Sequence, residues 1–289
     1  MDCKVVIGKN NYLFLQNDSS KSLEKHNKSY IPTLCINNLQ IRYNAYINQL
    51  LFVIFPDKEV VCKDFLPDHI TCNYRPYTEL YKRYFNERLI DGGNILDISD
   101  YYKTDTHINN KGGLKIYNTI IDYLNKKFNV TITTNKYTIT ENKVASLSEL
   151  NKGIGDLTWE HNKGNLEVNT SDKYYNIEPL VNFYMSIYNI DDNYCIFDYN
   201  LNNISKDWVN KLIDWNCVSK NILYKKNTDY IIKQKVLIFY DSFLLHTINL
   251  YKDIFEEIYL VKTIFNIGII DMIKPNFIIE ARVERFLFI

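Results

Sequence analysis

Unbroken apolar runs alternate along this chain with stretches whose apolar residues recur at helical spacing. Candidate strands are Lys4–Ile7, Leu51–Phe55, Asn94–Ile98, Val236–Phe239, Glu257–Val261 and Asn276–Glu280. Several are continuously apolar, as strands of a sheet covered on both faces must be. Between them, Leu39, Tyr43, Tyr46, Ile47 and Leu50 fall on one helical face, and Leu114, Tyr117, Ile120, Ile121, Leu124 and Phe128 on another. The alternation predicts βαβ units around a mainly parallel sheet, hence an α/β protein. The stretch from about 131 to 180, Thr-rich with Asn-Lys-Gly turns, is expected to be an insertion of short strands and loops in one domain spanning 1–289. It is either a seat of substrate specificity or a plain surface excursion. No internal repeat or low-complexity linker breaks the chain.

The tetrad Tyr240-Asp241-Ser242-Phe243 stands where the apolar run 236–239 stops and an amphipathic stretch begins. A serine at that point is lifted off a strand end into the crevice where open α/β sheets carry out chemistry. Serine needs a base oriented by a third group. Of the five histidines, one has a neighbouring carboxylate in the required setting, in Asp105-Thr106-His107. Those residues precede a helix expected to start near Asn109 or Asn110, so they lie in a loop at an element end. The competing reading takes Asp241-Ser242 as an N-cap pair for the following helix. That reading leaves the companions at 105 and 107 unexplained. His246, four residues past Ser242, is assigned no role.

Six segments in order resemble the alginate-acetylating, SGNH-hydrolase-like proteins and their relatives in exopolysaccharide O-acetylation. They are Ile7 to Leu15; Phe52 to Glu59 with Leu66-Pro67; Thr104 to Asn109 with Gly112-Gly113; Gly155-Asp156-Leu157; Asp241-Ser242-Phe243; and Lys274-Pro275 with Glu284-Arg285. The resemblance implies a flavodoxin-like, three-layer SGNH fold with Ser242 as nucleophile, His107 as general base and Asp105 as its partner. As in that family, the Asp and His lie upstream of the serine. Two positions depart from the family pattern. Tyr240 replaces a glycine, which is expected to narrow the pocket or alter the nucleophile turn, and Ile108 replaces a tryptophan.

Three functions follow: a carbohydrate O-acetyltransferase working through an acetyl-serine, a carbohydrate acetyl esterase using the same triad, or an idle glycan-binding protein. The expected partners are a carbohydrate substrate and an acetyl donor, acetyl-CoA or another acyl donor. No cofactor is expected, and no Gly-rich phosphate loop or basic cluster marks a coenzyme A site. The Ser242 backbone N–H is one expected oxyanion donor.

Composition narrows the partners. Over 289 residues, 34 basic side chains balance 34 acidic ones, which gives no global field for nucleic acid or an anionic membrane. The 24 tyrosines could stack on sugar rings, or reflect the coding bias of an AT-rich genome. The N-terminus shows no leader pattern and no run approaches the roughly 20 apolar residues of a membrane span, so a cytoplasmic, soluble protein is expected. The cysteines at 3, 35, 62, 72, 195 and 217 have irregular spacing and are read as reduced thiols. Cys62, His69 and Cys72 lie close in sequence but lack a Cys-x-x-Cys pair and a fourth ligand, so no metal is expected. Lys58 is expected to brace a loop or touch substrate, and Glu284 and Arg285 to form an ion pair.

Overall fold

A computed structural model describes residues 4–16, 19–28, 36–133, 137–143, 155–158, 172–178, 216–219 and 222–287. The strands are β1 (Val5–Ile7), β2 (Leu13–Leu15), β3 (Leu50–Phe55), β4 (Leu89–Asp91), β5 (Thr138–Lys143), β6 (Lys173–Glu178), β7 (Asn216–Ser219), β8 (Ile222–Lys226), β9 (Ile232–Tyr240), β10 (Phe255–Val261) and β11 (Phe277–Val283). The helices are α1 (Ser22–Lys25), α2 (Ile36–Tyr43), α3 (Lys58–Val61), α4 (Pro76–Phe85), α5 (Asn110–Phe128) and α6 (Ile267–Ile273). The central sheet has the order β4-β3-β11-β9-β10-β8-β7. Its first five strands are mutually parallel, and β8 and β7 add an antiparallel edge. Among the described residues no helix is long and apolar enough to cross a membrane.

Strand side chains alternate between two apolar layers, which is why the strands read as continuous apolar runs. Leu51, Val53, Phe55, Val236, Ile238 and Tyr240 join the cluster that also holds Leu114, Ile116, Tyr117, Ile120, Ile121 and Leu124 of α5. Leu50, Phe52, Ile54, Leu237 and Phe239 face the other way, onto Leu39 and Tyr43 of α2, Tyr81 and Phe85 of α4, and Ile270 and Ile273 of α6. The result is the expected helix–sheet–helix sandwich, with both faces dry.

Two local expectations need correction. Asn94–Ile98 is not a strand: the parallel edge strand is β4, upstream, and 3-10 turns follow at Gly92–Asn94 and Ile98–Asp100. Asp91 accepts from Gly93 N (2.9 Å) and Asp97 from Ser99 N (2.8 Å), so short carboxylates satisfy the backbone locally in place of a ladder. The helical face from Leu39 to Leu50 breaks after Tyr43, where the chain tightens to a 3-10 segment before Leu50 opens β3. Asn44 at the break accepts from Tyr84 OH of α4 (2.7 Å). Within 131–180, β5 pairs antiparallel with β6, while residues 134–136, 144–154, 159–171 and 179–180 lie outside the described residues. Cys3, Cys35 and Cys195 lie outside them too, whereas Cys62 and Cys72 are buried free thiols.

The parallel strands bring charged residues together at their carboxyl ends. Asp57, just past β3, accepts from Arg285 and lies 2.9 Å from His26 Nε2. Glu284 does not pair with its neighbour Arg285, as the sequence had implied. It accepts from Arg75 Nε (2.8 Å) and from Thr78 Oγ1, and Arg75 also bridges to Asp91 (2.8 Å). Burial opposes the charge on His26, yet the bond to Asp57 and the nearby Glu284 raise its pKa to about 9. Burial, with Asp57 close by, pushes the Glu59 carboxyl up to about 7. Glu59 Oε2 has no hydrogen-bond partner among the described residues, which fits a neutral acid.

Both groups hold protons in the folded protein that the unfolded chain releases, so both contributions to stability disappear as pH rises. The Glu59 contribution is lost between about 4.5 and 7, and the His26 contribution between about 6.5 and 9. Denaturant titrations from about pH 6 to 9 are expected to show a loss of several kcal/mol, with a flatter profile in His26→Gln. Equal slopes for the two proteins would contradict this assignment.

Candidate active site

Ser242 owes its position to β9. The strand runs buried to Tyr240, and Asp241 then turns the chain into a 3-10 segment, Ser242–His246. Asp241 is a cap, as the plainer sequence reading held: Oδ1 accepts from Phe243 N (3.0 Å) and Oδ2 from Val283 N (2.7 Å) at the end of β11. The cap does not compete with a role for the serine, because it uses only the carboxylate and ties the turn to the next strand. Tyr240 is buried with the α5-side cluster. The side chain of His246 lies outside the described residues.

The loop from Tyr101 to Asn109 brings His107 to the serine. A single antiparallel bridge between Tyr101 and Ile108 closes it, and Asn109 caps α5 by accepting from Gly112 N (3.1 Å). Ile108 is fully buried in the α5-side cluster and so anchors the loop's far limb. His107 Nε2 lies 2.7 Å from Ser242 Oγ across 135 positions of sequence, and Nδ1 lies 2.6 Å from Asp105 Oδ1. Asp105 Oδ1 also accepts from the His107 backbone N–H (2.9 Å). The three residues singled out in the sequence therefore form one hydrogen-bonded line.

Electrostatics follow from that line. Burial opposes ionisation of Asp105, but the adjacent His107 and the bonds it donates hold the carboxyl well below the usual carboxylate range. Burial also works against a charge on His107, and Asp105 outweighs it, so the imidazole is more basic than usual. With Asp105 ionised, Nδ1 carries the proton and Nε2 is left to accept from Ser242 Oγ. The Phe243 ring packs against the imidazole (4.9 Å), and the Arg285 guanidinium lies over the same ring (5.3 Å).

Lys58 supports this loop and does not need a substrate to explain it. Its ammonium is buried and donates to the carbonyls of Leu13 (2.7 Å), Lys103 (2.7 Å) and Asp105 (3.0 Å). Two carboxylates that sequence reasoning gave no role grip the loop's amides. Asp172 accepts from Lys103 N, from Thr104 N (3.2 Å) and from the Thr104 hydroxyl. Asp156 accepts from Thr106 N (2.7 Å) and Thr106 Oγ1 (2.5 Å), while its own N–H donates to Asp105 Oδ2 (3.1 Å). Gly155 permits this approach, because a Cβ there would lie 2.0 Å from the Thr104 carbonyl oxygen. Asp156 stood in one of the six quoted segments; nothing in the spacing pointed to Asp172.

Among the described residues, Asp105, His107 and Asp156 are the group whose ligand atoms could gather around a metal ion. Every atom involved already has a protein partner: Nδ1 and Asp105 bond each other, and Asp156 holds Thr106. Metal ligation would break the line to Ser242. Cys62, His69 and Cys72 form no such group.

No family model matches the sequence, and no curated protein matches it. Solved structures do resemble it. Bacillus cereus PatB1 superposes with a TM-score of 0.58 at 15% identity, over 98% of this chain and 96% of that one, and its form with a sulfonyl adduct gives 0.59 at 16%. A DHHW family protein from Eubacterium siraeum gives 0.54 at 10% identity, over 99% and 93%. The O-acetyltransferase domain of Pseudomonas putida AlgJ is more distant, at 0.49 and 12%. At these identities the likeness is one of backbone, carried by the first two proteins, and the chain shares their α/β fold with its mainly parallel central sheet.

Proposed function

We propose that this protein is a carbohydrate O-acetyltransferase whose triad is Ser242, His107 and Asp105. The observation that carries the reading is the continuous line from Asp105 Oδ1 through the imidazole to Ser242 Oγ, with contacts of 2.6 and 2.7 Å. The sequence resemblance to polysaccharide O-acetylation proteins supports the choice of a sugar acceptor.

His107 Nε2 takes the serine proton as Oγ attacks the carbonyl carbon of an acyl donor. The imidazolium so formed is stabilised by Asp105, which also fixes its tautomer. The tetrahedral oxyanion meets the Ser242 N–H, the first amide of the 3-10 turn and unpartnered among the described residues. Collapse breaks the bond to the donor's leaving group, which takes the proton from Nε2, and leaves an acetyl ester on Ser242. A sugar hydroxyl then gives its proton to Nε2 and attacks the ester, and the second collapse returns that proton to Oγ. An esterase would run the same second half with water.

With p-nitrophenyl acetate as donor, Ser242→Ala and His107→Ala are each expected to remove the burst and to lower turnover by about 1,000-fold or more. Wild-type turnover in Ser242→Ala would overturn the nucleophile assignment. Because Asp105 raises the basicity of His107, kcat/KM should fall on the acid side with a midpoint above the ordinary imidazole value. Incubation with candidate oligosaccharides and either acetyl-CoA or an activated ester, followed by mass spectrometry, separates the outcomes. The transferase reading expects a sugar bearing one added acetyl group; free acetate alone would make the protein an esterase.

A further inference from the structure

The line from Asp105 to Ser242 accounts for one carboxylate beside His107, but the structure holds two. Asp156 Oδ2 lies 3.6 Å from His107 Nδ1, the same ring nitrogen that Asp105 Oδ1 meets at 2.6 Å. Its side chain is 28% exposed where that of Asp105 is 3% exposed, so one carboxylate is sealed in and the other is mostly, but not wholly, buried. We propose, on the footing of the triad reading above, that Asp156 is a positioning residue that clamps the Asp105–His107 loop and, through its charge, sets the basicity of His107.

The clamp is made of contacts on both sides of one peptide. Asp156 accepts from the amide and hydroxyl of Thr106, the residue between the two triad members, and its own amide fixes the second oxygen of Asp105. The turn that carries it is itself tied down: Leu157 N donates to Thr104 O (3.1 Å), and Thr158 Oγ1 to Gly155 O (2.8 Å). An inert spacer could do as much. The difference lies in charge at close range, since an ionised carboxylate at this distance favours the protonated imidazole.

The charged groups facing the pair can be named. Asp105 lies against His107; Arg285, behind Phe243, opposes a positive imidazole and favours a negative Asp156; Lys58 lies behind the Asp105 carbonyl, with Asp172 across from it. Burial first, then the charge of Asp105, push the Asp156 carboxyl up to about 6, with His107 pulling against them. Asp156 thus changes charge in the range where a base is needed, raising the basicity of His107 once ionised.

The test is the pH dependence of sulfonylation by phenylmethanesulfonyl fluoride, followed as the second-order inactivation rate of the full chain with the modified residue mapped by mass spectrometry. Wild type is expected to be labelled at Ser242, with an acid limb set by His107. In Asp156→Asn, which keeps the shape and one acceptor, the limb should move about one pH unit lower with Ser242 still labelled, and Asp156→Glu should restore it. An unmoved limb, or a rate loss equal at every pH, would reduce Asp156 to a structural clamp and overturn the charge role. Failure of wild type to label at Ser242 would sink the triad reading itself, and this inference with it. Should Asp156→Asn not fold, an NMR titration of His107 in wild type replaces it. A second inflection near the Asp156 pKa of about 6 is expected, and its absence would contradict the proposal.

Discussion

A loop without a regular ladder must hold an imidazole within 2.7 Å of a serine that lies 135 positions away. One antiparallel bridge is the loop's only strand-like pairing among the described residues, so its shape depends on ionic groups that grip the backbone. Lys58 collects carbonyls from β2 and from the loop, while Asp156 and Asp172 collect amides and hydroxyls on the opposite side. A buried ammonium is costly unless its donors are satisfied, and three carbonyls satisfy all three protons of Lys58. Burial opposes the charge on Lys58, and the nearby carboxylates counter it.

The same principle organises the floor of the site. β3, β4, β9 and β11 all end at one side of the sheet, and the residues at or just beyond their ends are Asp57 and Lys58, Asp91, Ser242, and Glu284 with Arg285. Strand ends at this side of a parallel sheet are where an α/β fold can place groups from distant sequence side by side. Here the serine line and the buried ion pairs His26–Asp57–Arg285 and Arg75–Glu284 are linked through Phe243, whose ring touches both His107 and Arg285. The ion pairs are not a source of large stability, since burying charges costs much of what their attraction returns. Their value is in fixing where the strand ends sit.

Much of this was legible in the sequence because it depends on short-range pattern. Strands buried on both faces give unbroken apolar runs, so β3, β9, β10 and β11 were found to within a few residues. The helix Asn110–Phe128 follows from its apolar spacing and its cap at Asn109. Ser242, His107 and Asp105 were recognisable because a strand-end serine and an Asp-x-His pair are local features. What escaped was set by distance or by competition. The edge strand β4 was displaced because Asp91 and Asp97 satisfy nearby amides and end the ladder early. The antiparallel edge of β7 and β8 comprises short, polar-mixed strands with no apolar run to mark them. Glu284 and Arg285 are adjacent in sequence but sit at a chain turn, and each finds its partner in another element. Asp172 meets its loop 68 positions away, a contact no spacing rule predicts.

The claim on which the account rests is that Ser242 is the atom that accepts an acyl group. Brief reaction with p-nitrophenyl acetate, an acid quench that traps the ester, and peptide mapping by tandem mass spectrometry test it directly. The account predicts one added acetyl group on the peptide containing Ser242, assigned to that side chain and missing when His107 is replaced by alanine. An acetyl group carried by a different residue, or a Ser242 label that persists without His107, would contradict it.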